Sequence, residues 1–287
     1  MFELKKAVPE LDKLFEEVGT YRKSSDYKDL LDFIIKFPQM APYNAMLVHV
    51  QKPGSEFVTS ASEWKRSYGR KPKVGARPLV ILRPFGPVDF VYELNDTEGE
   101  PFPKALQEPF KAKGNVTENF VKSIQKSILY EGIVSIEQDY GASCAGFVQV
   151  INETREFKTR KSLEYYKIFF GMVLNKNLDP TAKLATIFHE LGHVFCGHLR
   201  QSNAKWLPQR SSLPDDIVEF EAESVCWLVC ERLRVFNPSA KYLSGYLGSN
   251  DEIPDISIDA VLKAAGMIEN IIAGKRSPRK ELIIRKN

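Results

Sequence analysis

Residues 179–196, Asp-Pro-Thr-Ala-Lys-Leu-Ala-Thr-Ile-Phe-His-Glu-Leu-Gly-His-Val-Phe-Cys, limit what this chain can become more than any other stretch, because they set His189 and His193 four positions apart with Glu190 beside the first. On a helix such a pair is separated by about one turn along the axis and about forty degrees around it, so both imidazoles can converge on one cation. Glu190 lies about a hundred degrees round from His189 and cannot easily join them. It can instead reach a water on the open side of the cation, where a hydrolytic site needs its general base. The helix is well signalled: Asp179 can accept from the amides of the first turn, Pro180 brings a suitable φ, and Gly197 is a natural stop. Leu184, Ile187, Phe188, Leu191 and Phe195 recur at helical spacing, which predicts a helix sunk in a core with its histidines facing a cleft.

A catalytic zinc takes three protein ligands and keeps one position open, so a third ligand must come from elsewhere. The metzincin offsets after His193 hold Cys196 and Leu199, and His198 is one residue out of register. His198 therefore reads as a surface histidine at a helix end, with metal ligation as the less common alternative. The next helix is a better source. It opens at Ser212-Leu-Pro-Asp215, a Ser/acid capping signature, and runs to about Val235. Glu219 and Glu223, four apart, share its inner face. A cation and a histidine N–H would satisfy the two carboxylates, one as ligand and the other holding an imidazole. A salt-bridged pair near the helix start is the competing account. Glu221 points about two hundred degrees away from Glu219 and reads as solvated. Cys226 and Cys230 continue the inner stripe, but at about ten ångströms along the axis they read as small buried hydrophobes.

The chain has 287 residues, 43% of them hydrophobic and 27% charged, enough for two cored domains. Its start lacks the apolar run of a signal peptide and no stretch is long enough to span a bilayer, so a cytoplasmic protein with no membrane partner is expected. Cys144, Cys196, Cys226 and Cys230 contain no CxxC pair and suit a reducing compartment.

In chain order, residues 9–36 predict two helices, with Leu11, Leu14, Phe15 and Val18 on the first and Leu30, Leu31, Phe33, Ile34 and Phe37 on the second, which Pro38 closes. A short helix or buried segment over 41–51 follows, then the breaker at Pro53 and Gly54. Ser60 and Glu63 form a capping-box signature for a helix through Trp64 and Tyr68. Residues 78–83 and 88–94 read as a hairpin. Pro101, Pro103 and Pro109 mark a linker over 99–114. Beyond it come a helix over 117–130, stopped by Gly132, and strands at 133–136, 145–151 and 166–174 leading into the histidine helix. The fold class is α+β: a small α+β domain over 1–98 and a second α+β domain over 115–287, rather than a βαβ array.

Net charge is only +3, so a nucleic-acid argument rests on placement. Between residues 65 and 83 stand Lys65, Arg66, Arg70, Lys71, Lys73, Arg77 and Arg83 with no acidic residue, interleaved with Trp64 and Tyr68 and followed by Phe85. Basic groups among aromatic rings suit a sequence-tolerant binder of single-stranded nucleic acid, charge for phosphate and rings for base stacking. A solvated turn region whose aromatics are core fits the same pattern. The basic tail, Lys275, Arg276, Arg279, Lys280, Arg285 and Lys286, reads as a frayed terminus.

HExxH followed some thirty residues later by Glu219-x-x-Ala222-Glu223 is similar to the gluzincin pattern, and specifically to the zincin domain of the ImmA/IrrE group and of ArdC-type antirestriction proteins. Pro42-Tyr-Asn44, Gln51-Lys-Pro53, Glu63-Trp64-Lys65, Gly69-Arg70-Lys71, Lys73-Val-Gly75 and residues 79–84 resemble the ArdC N-terminal domain. Residues 105–165 carry no detailed match. The resemblance implies His189, His193 and Glu219 as ligands of a Zn2+ ion, Glu190 as general base, and binding of single-stranded DNA by the N-terminal domain. Glu223 stands where the ImmA/IrrE group usually has Asn. The expected protein is thus a zinc metallopeptidase, acting on a protein or peptide, with a DNA-binding domain in front. The alternative is a DNA-binding antirestriction or protective protein whose metal is structural or non-proteolytic. Tyr242 or Tyr246, following the ligand helix, could donate to a developing oxyanion.

Overall fold

The computed structural model describes residues 24–37, 39–83, 86–103, 116–140, 144–158, 163–201, 203–235, 253–274 and 277–284. They fall into two units, residues 1–112 with 250–252 and residues 113–249 with 253–287. The helix expected around Leu11 and most of the 99–114 linker lie outside the described residues, as do Lys275, Arg276, Arg285 and Lys286 of the basic tail.

In the first unit, helix α1 (Ser24–Ile35) buries Tyr27, Leu30, Leu31 and Ile34, and α2 (Pro42–Gln51) buries Ala45, Met46, Leu47 and Val48. After β1 (Val58–Thr59), the Ser60 side chain accepts from the Glu63 amide at 3.2 Å and opens α3 (Ala61–Tyr68). The Glu63 carboxylate is engaged by Arg66 and Ser67. Gly69, at φ 60°, ends the helix in the left-handed region where a side chain is strained.

Then follow β2 (Arg70–Pro72), β3 (Leu79–Arg83), β4 (Gly86–Glu93) and β5 (Thr97–Gly99). The expected hairpin is β3 with β4, flanked by β1 in the order β1-β4-β3, while β2 pairs with β5. The outer edge of β3 is covered by two amide side chains of α2. Asn44 Nδ2 donates to the Leu82 carbonyl at 3.0 Å and its Oδ1 accepts from the Leu82 amide at 2.9 Å. Gln51 does the same with Val80, at 2.8 Å each way. These amides occupy backbone groups that an open edge would leave exposed for pairing. Lys52 Nζ bridges Glu93 at 3.1 Å and Asp96 at 2.7 Å. Asn44, Gln51 and Lys52, all within the motif run of this region, thus hold the sheet to the helix.

In the second unit, Thr117 caps α4 (Glu118–Ser127), a 3-10 turn follows, and Gly132 at φ 77° stops it as expected. Strands β6 (Ile133–Gln138), β7 (Gly146–Lys158) and β8 (Leu163–Asn175) stand in the order β6-β8-β7, with β6 parallel and β7 antiparallel to β8. β7 runs past its expected limit because residues 152–156 are polar and mostly exposed, where hydrophobic alternation gives no signal. Helix α5 (Pro180–Cys196) packs on α6 (Asp215–Leu233), and α7 (Ile258–Ile272) packs on both. β9 (Ile283–Ile284) joins β8. Phe170, Leu184, Phe188, Phe220, Leu228 and Val261 are fully or nearly fully buried in this core. The cap expected from Ser212 is not made: Pro214 precedes α6 without a side-chain bond, and Asp215 and Asp216 favour the helix start by charge. The fold is α+β. Among the described residues no helix is long and apolar enough to cross a membrane.

Candidate metal centre

The histidine helix is held at both ends as its sequence implies. Asp179 Oδ1 accepts from the amides of Thr181 at 2.8 Å and Ala182 at 2.9 Å, and Gly197, at φ 79°, turns the chain out of α5. Within that frame His189 Nε2 and His193 Nε2 come 3.1 Å apart. Glu219, from the second turn of α6, brings its carboxylate oxygens to 3.5 Å from His189 Nε2 and 3.6 Å from His193 Nε2. These three side chains offer ligand atoms to one point. Glu219 is half exposed, so the point opens toward solvent.

Glu223, one turn further along α6 and buried, lies 3.0 Å through Oε2 from His189 Nδ1. A carboxylate only accepts, so His189 donates through Nδ1 and turns Nε2 toward Glu219 and His193. Two imidazole nitrogens facing each other cannot both be bare without a positive charge between them. Burial disfavours a cationic His189, but its hydrogen bonds with Glu219 and Glu223 outweigh that and push it up to about 10. Burial and then the His189 charge hold His193 down, to about 4. A proton on His189 thus fills the place a metal cation would take. Two imidazoles and a carboxylate are a donor set that Zn2+ accepts, so the residues fit that ion.

Glu190 is buried beside this point and accepts from the backbone amide of Val148 on β7. Burial raises its pKa, against the opposing pull of His189, which moves it toward the range where a carboxylate exchanges protons near neutrality.

Two expectations are corrected here. Glu221 is not solvated: it is 0% exposed, because α7 and the chain around Arg210 cover the face of α6 opposite Glu219. Its Oε1 and Oε2 accept from Arg210 at 2.6 Å each, and Oε1 also accepts from the Ser257 amide at 2.6 Å. His198 is not a surface residue. It is buried with Nδ1 3.2 Å from His193 Nδ1 and Nε2 2.8 Å from Glu221 Oε2. Sequence reading missed this group although a signal existed: Phe220, Ala222, Val225 and Leu228 spread apolar side chains around much of α6, which is the mark of a helix covered on most sides. Cys226 and Cys230 are buried as expected. Tyr242 and Tyr246 lie outside the described residues.

In the first unit, Trp64 is corrected as a base-stacking ring. It is 0% exposed, donates through Nε1 to the Tyr92 carbonyl at 2.8 Å, and sits among Phe57, Tyr68 and Phe102 at ring-centre distances of 5.4, 5.3 and 5.6 Å. Arg70 is spent inward on Thr97, at 2.9 Å to both its side chain and its carbonyl. Lys65, Arg66, Lys71, Lys73 and Arg77 are exposed. Arg66 pairs with Glu63, Lys71 with Glu98 at 3.4 Å, and Lys73 donates to the Asn95 carbonyl at 2.8 Å. The acid-free run in sequence is therefore not acid-free in space.

A helix-borne HExxH, a carboxylate from the following helix and a mixed sheet alongside define a metallopeptidase-like fold. Residues 153–228, which carry His189, Glu190, His193, Glu219 and Glu223, match the family described as the IrrE N-terminal-like domain, Peptidase_M78. No curated protein matches the chain. The crystal structure of the antirestriction ArdC protein from the R388 plasmid, in its metal-free form, is similar at 13% sequence identity and a TM-score of 0.35, over 86% of this chain and 98% of that one. The family match agrees with the ImmA/IrrE part of the resemblance read from the motifs.

Proposed function

We propose that the second unit is a zinc-dependent peptidase and that the N-terminal domain expected over residues 1–98, within the first unit, binds single-stranded DNA. The observation that carries the first part is the convergence of His189, His193 and Glu219 with Glu190 buried beside them. A zinc ion held by those three would supply Lewis acidity toward a peptide carbonyl and toward water. Glu190 takes a proton from the attacking water and passes it to the leaving amine. Val148 holds the Glu190 carboxylate in place. Among the described residues β7 pairs with β8 alone, and its other edge is suited to pairing with an extended peptide. Glu223 holds His189 in the orientation that ligation requires. A tyrosine such as Tyr242 is the proposed oxyanion donor.

The DNA-binding part is supported by the exposed Lys65, Arg66, Lys71, Lys73 and Arg77 and by the motif resemblance, which also points to an antirestriction role in the cytoplasm. None of the four cysteines is in a disulfide, which suits that compartment.

Glu190→Gln tests the reading, because an amide preserves shape but cannot take the proton. The variant should keep its fold and its zinc yet lose cleavage of a co-expressed partner protein. Retention of every biological effect, including any antirestriction effect, would transfer the function to DNA binding with a non-proteolytic metal.

A further inference from the structure

The buried group behind the metal centre has an order that fixes where protons sit. Glu221 already has its charge balanced by the two-armed contact with Arg210 and accepts as well from the Ser257 amide. As a carboxylate it can only accept, so the 2.8 Å contact with His198 Nε2 places a proton on that nitrogen. A neutral His198 then has a bare Nδ1. That nitrogen lies 3.2 Å from His193 Nδ1, and a hydrogen bond between the two needs one proton, which His193 must supply. With its proton on Nδ1, His193 presents a bare Nε2 toward His189 Nε2 and Glu219.

We propose that His198, backed by Glu221 and Arg210, is a positioning residue that sets the tautomer of His193 for metal binding. The proposal rests on the metal reading of the site. Glu223 does for His189 directly what Glu221 does for His193 through an intervening imidazole. The relay also accounts for the burial of a third histidine where no ligand is needed. Cys196, His198 and Glu221 lie close enough to suggest a second cation site, but Arg210 takes both oxygens of Glu221, so the cation of that group is the guanidinium.

The test begins with metal-free, nitrogen-15-labelled protein, in which the chain's four histidines make the imidazole signals assignable by long-range proton–nitrogen correlation. His193 in the wild type should carry its proton on Nδ1. His198→Phe keeps a ring in the cavity but offers no acceptor for the His193 Nδ1 proton, and it should shift the His193 Nδ1 signal. Competition against a chromophoric chelator should then show zinc affinity reduced about 10–100-fold, the range found when a partner of a ligating imidazole is lost. His198→Gln, whose amide oxygen can accept from His193, should recover much of that affinity and return the His193 Nδ1 signal toward its wild-type position. A wild-type His193 protonated on Nε2 overturns the proposal without any variant, and so does a His198→Phe protein with an unchanged His193 signal and unchanged zinc affinity. A wild type that shows the Nδ1 proton but takes up no zinc leaves the relay standing and removes the metal reading.

Discussion

Gly192 lies so close to Ala222 that a Cβ built on the glycine would stand 3.0 Å from both the Cα and the carbonyl oxygen of Ala222. The obstructing atoms are backbone, with no flexible side chain to yield. This close approach of α5 and α6 lets Glu219 reach the two histidines. Gly192→Ala gains about 1 kcal/mol of helix propensity, but forcing the helices apart costs about 1–3 kcal/mol. The variant should lose stability in denaturant unfolding and bind zinc more weakly. Zinc affinity equal to wild type would mean that helix spacing does not set the site.

The ligand assignment separates the two inner-face glutamates. Glu219→Ala should abolish stoichiometric zinc in metal analysis of the purified protein. Glu223→Gln should keep the metal but weaken it about 10–100-fold, because it removes the charged acceptor of His189. Full occupancy in Glu219→Ala with loss in Glu223→Ala or His198→Ala would reverse the assignment.

Proton competition gives the site a defined pH dependence. Metal-free His189, pushed up to about 10, is protonated near neutral pH and must lose that proton to ligate. Zinc affinity should therefore climb as pH rises through neutrality and level off near that value. Calorimetry in buffers of different ionisation enthalpy should report the release of about one proton per zinc. In the metal-free protein, stability follows the same group: its folded pKa is raised, so its contribution is complete below the ordinary 6.5 and disappears as pH rises through about 10.

For the first unit, charge and aromatic residues should part company. Reversing charge at Lys71, Lys73 and Arg77 should weaken single-stranded DNA binding by the full chain and flatten its salt dependence, with thermal stability little changed. Trp64→Ala should instead destabilise the unit by about 3–5 kcal/mol, since it empties a fully buried site. Mobility shifts across a salt series, alongside thermal melts, distinguish the two. A Trp64 variant of wild-type stability that no longer binds DNA would restore the stacking role.

Local periodicity was enough to read His189, Glu190 and His193 as one constellation, since the angular step of a helix follows from the sequence alone, and Asp179, Pro180 and Gly197 declared that helix's ends. The four-residue spacing of Glu219 and Glu223 was legible for the same reason. Spacing says which residues share a face, but not what covers each face. Glu221, turned away from Glu219, looked solvated until α7 and Arg210 proved to close over it, and His198 looked exposed until the turn at Gly197 folded it back against His193. Trp64 followed the same rule: sequence placed it among basic residues, and packing against Phe57, Tyr68 and Phe102 took its ring out of solvent. Val148 could meet Glu190 only once β7 had paired with β8 and been laid beside α5. Each of these contacts depends on segments distant in the chain, and tertiary packing alone decided where they meet.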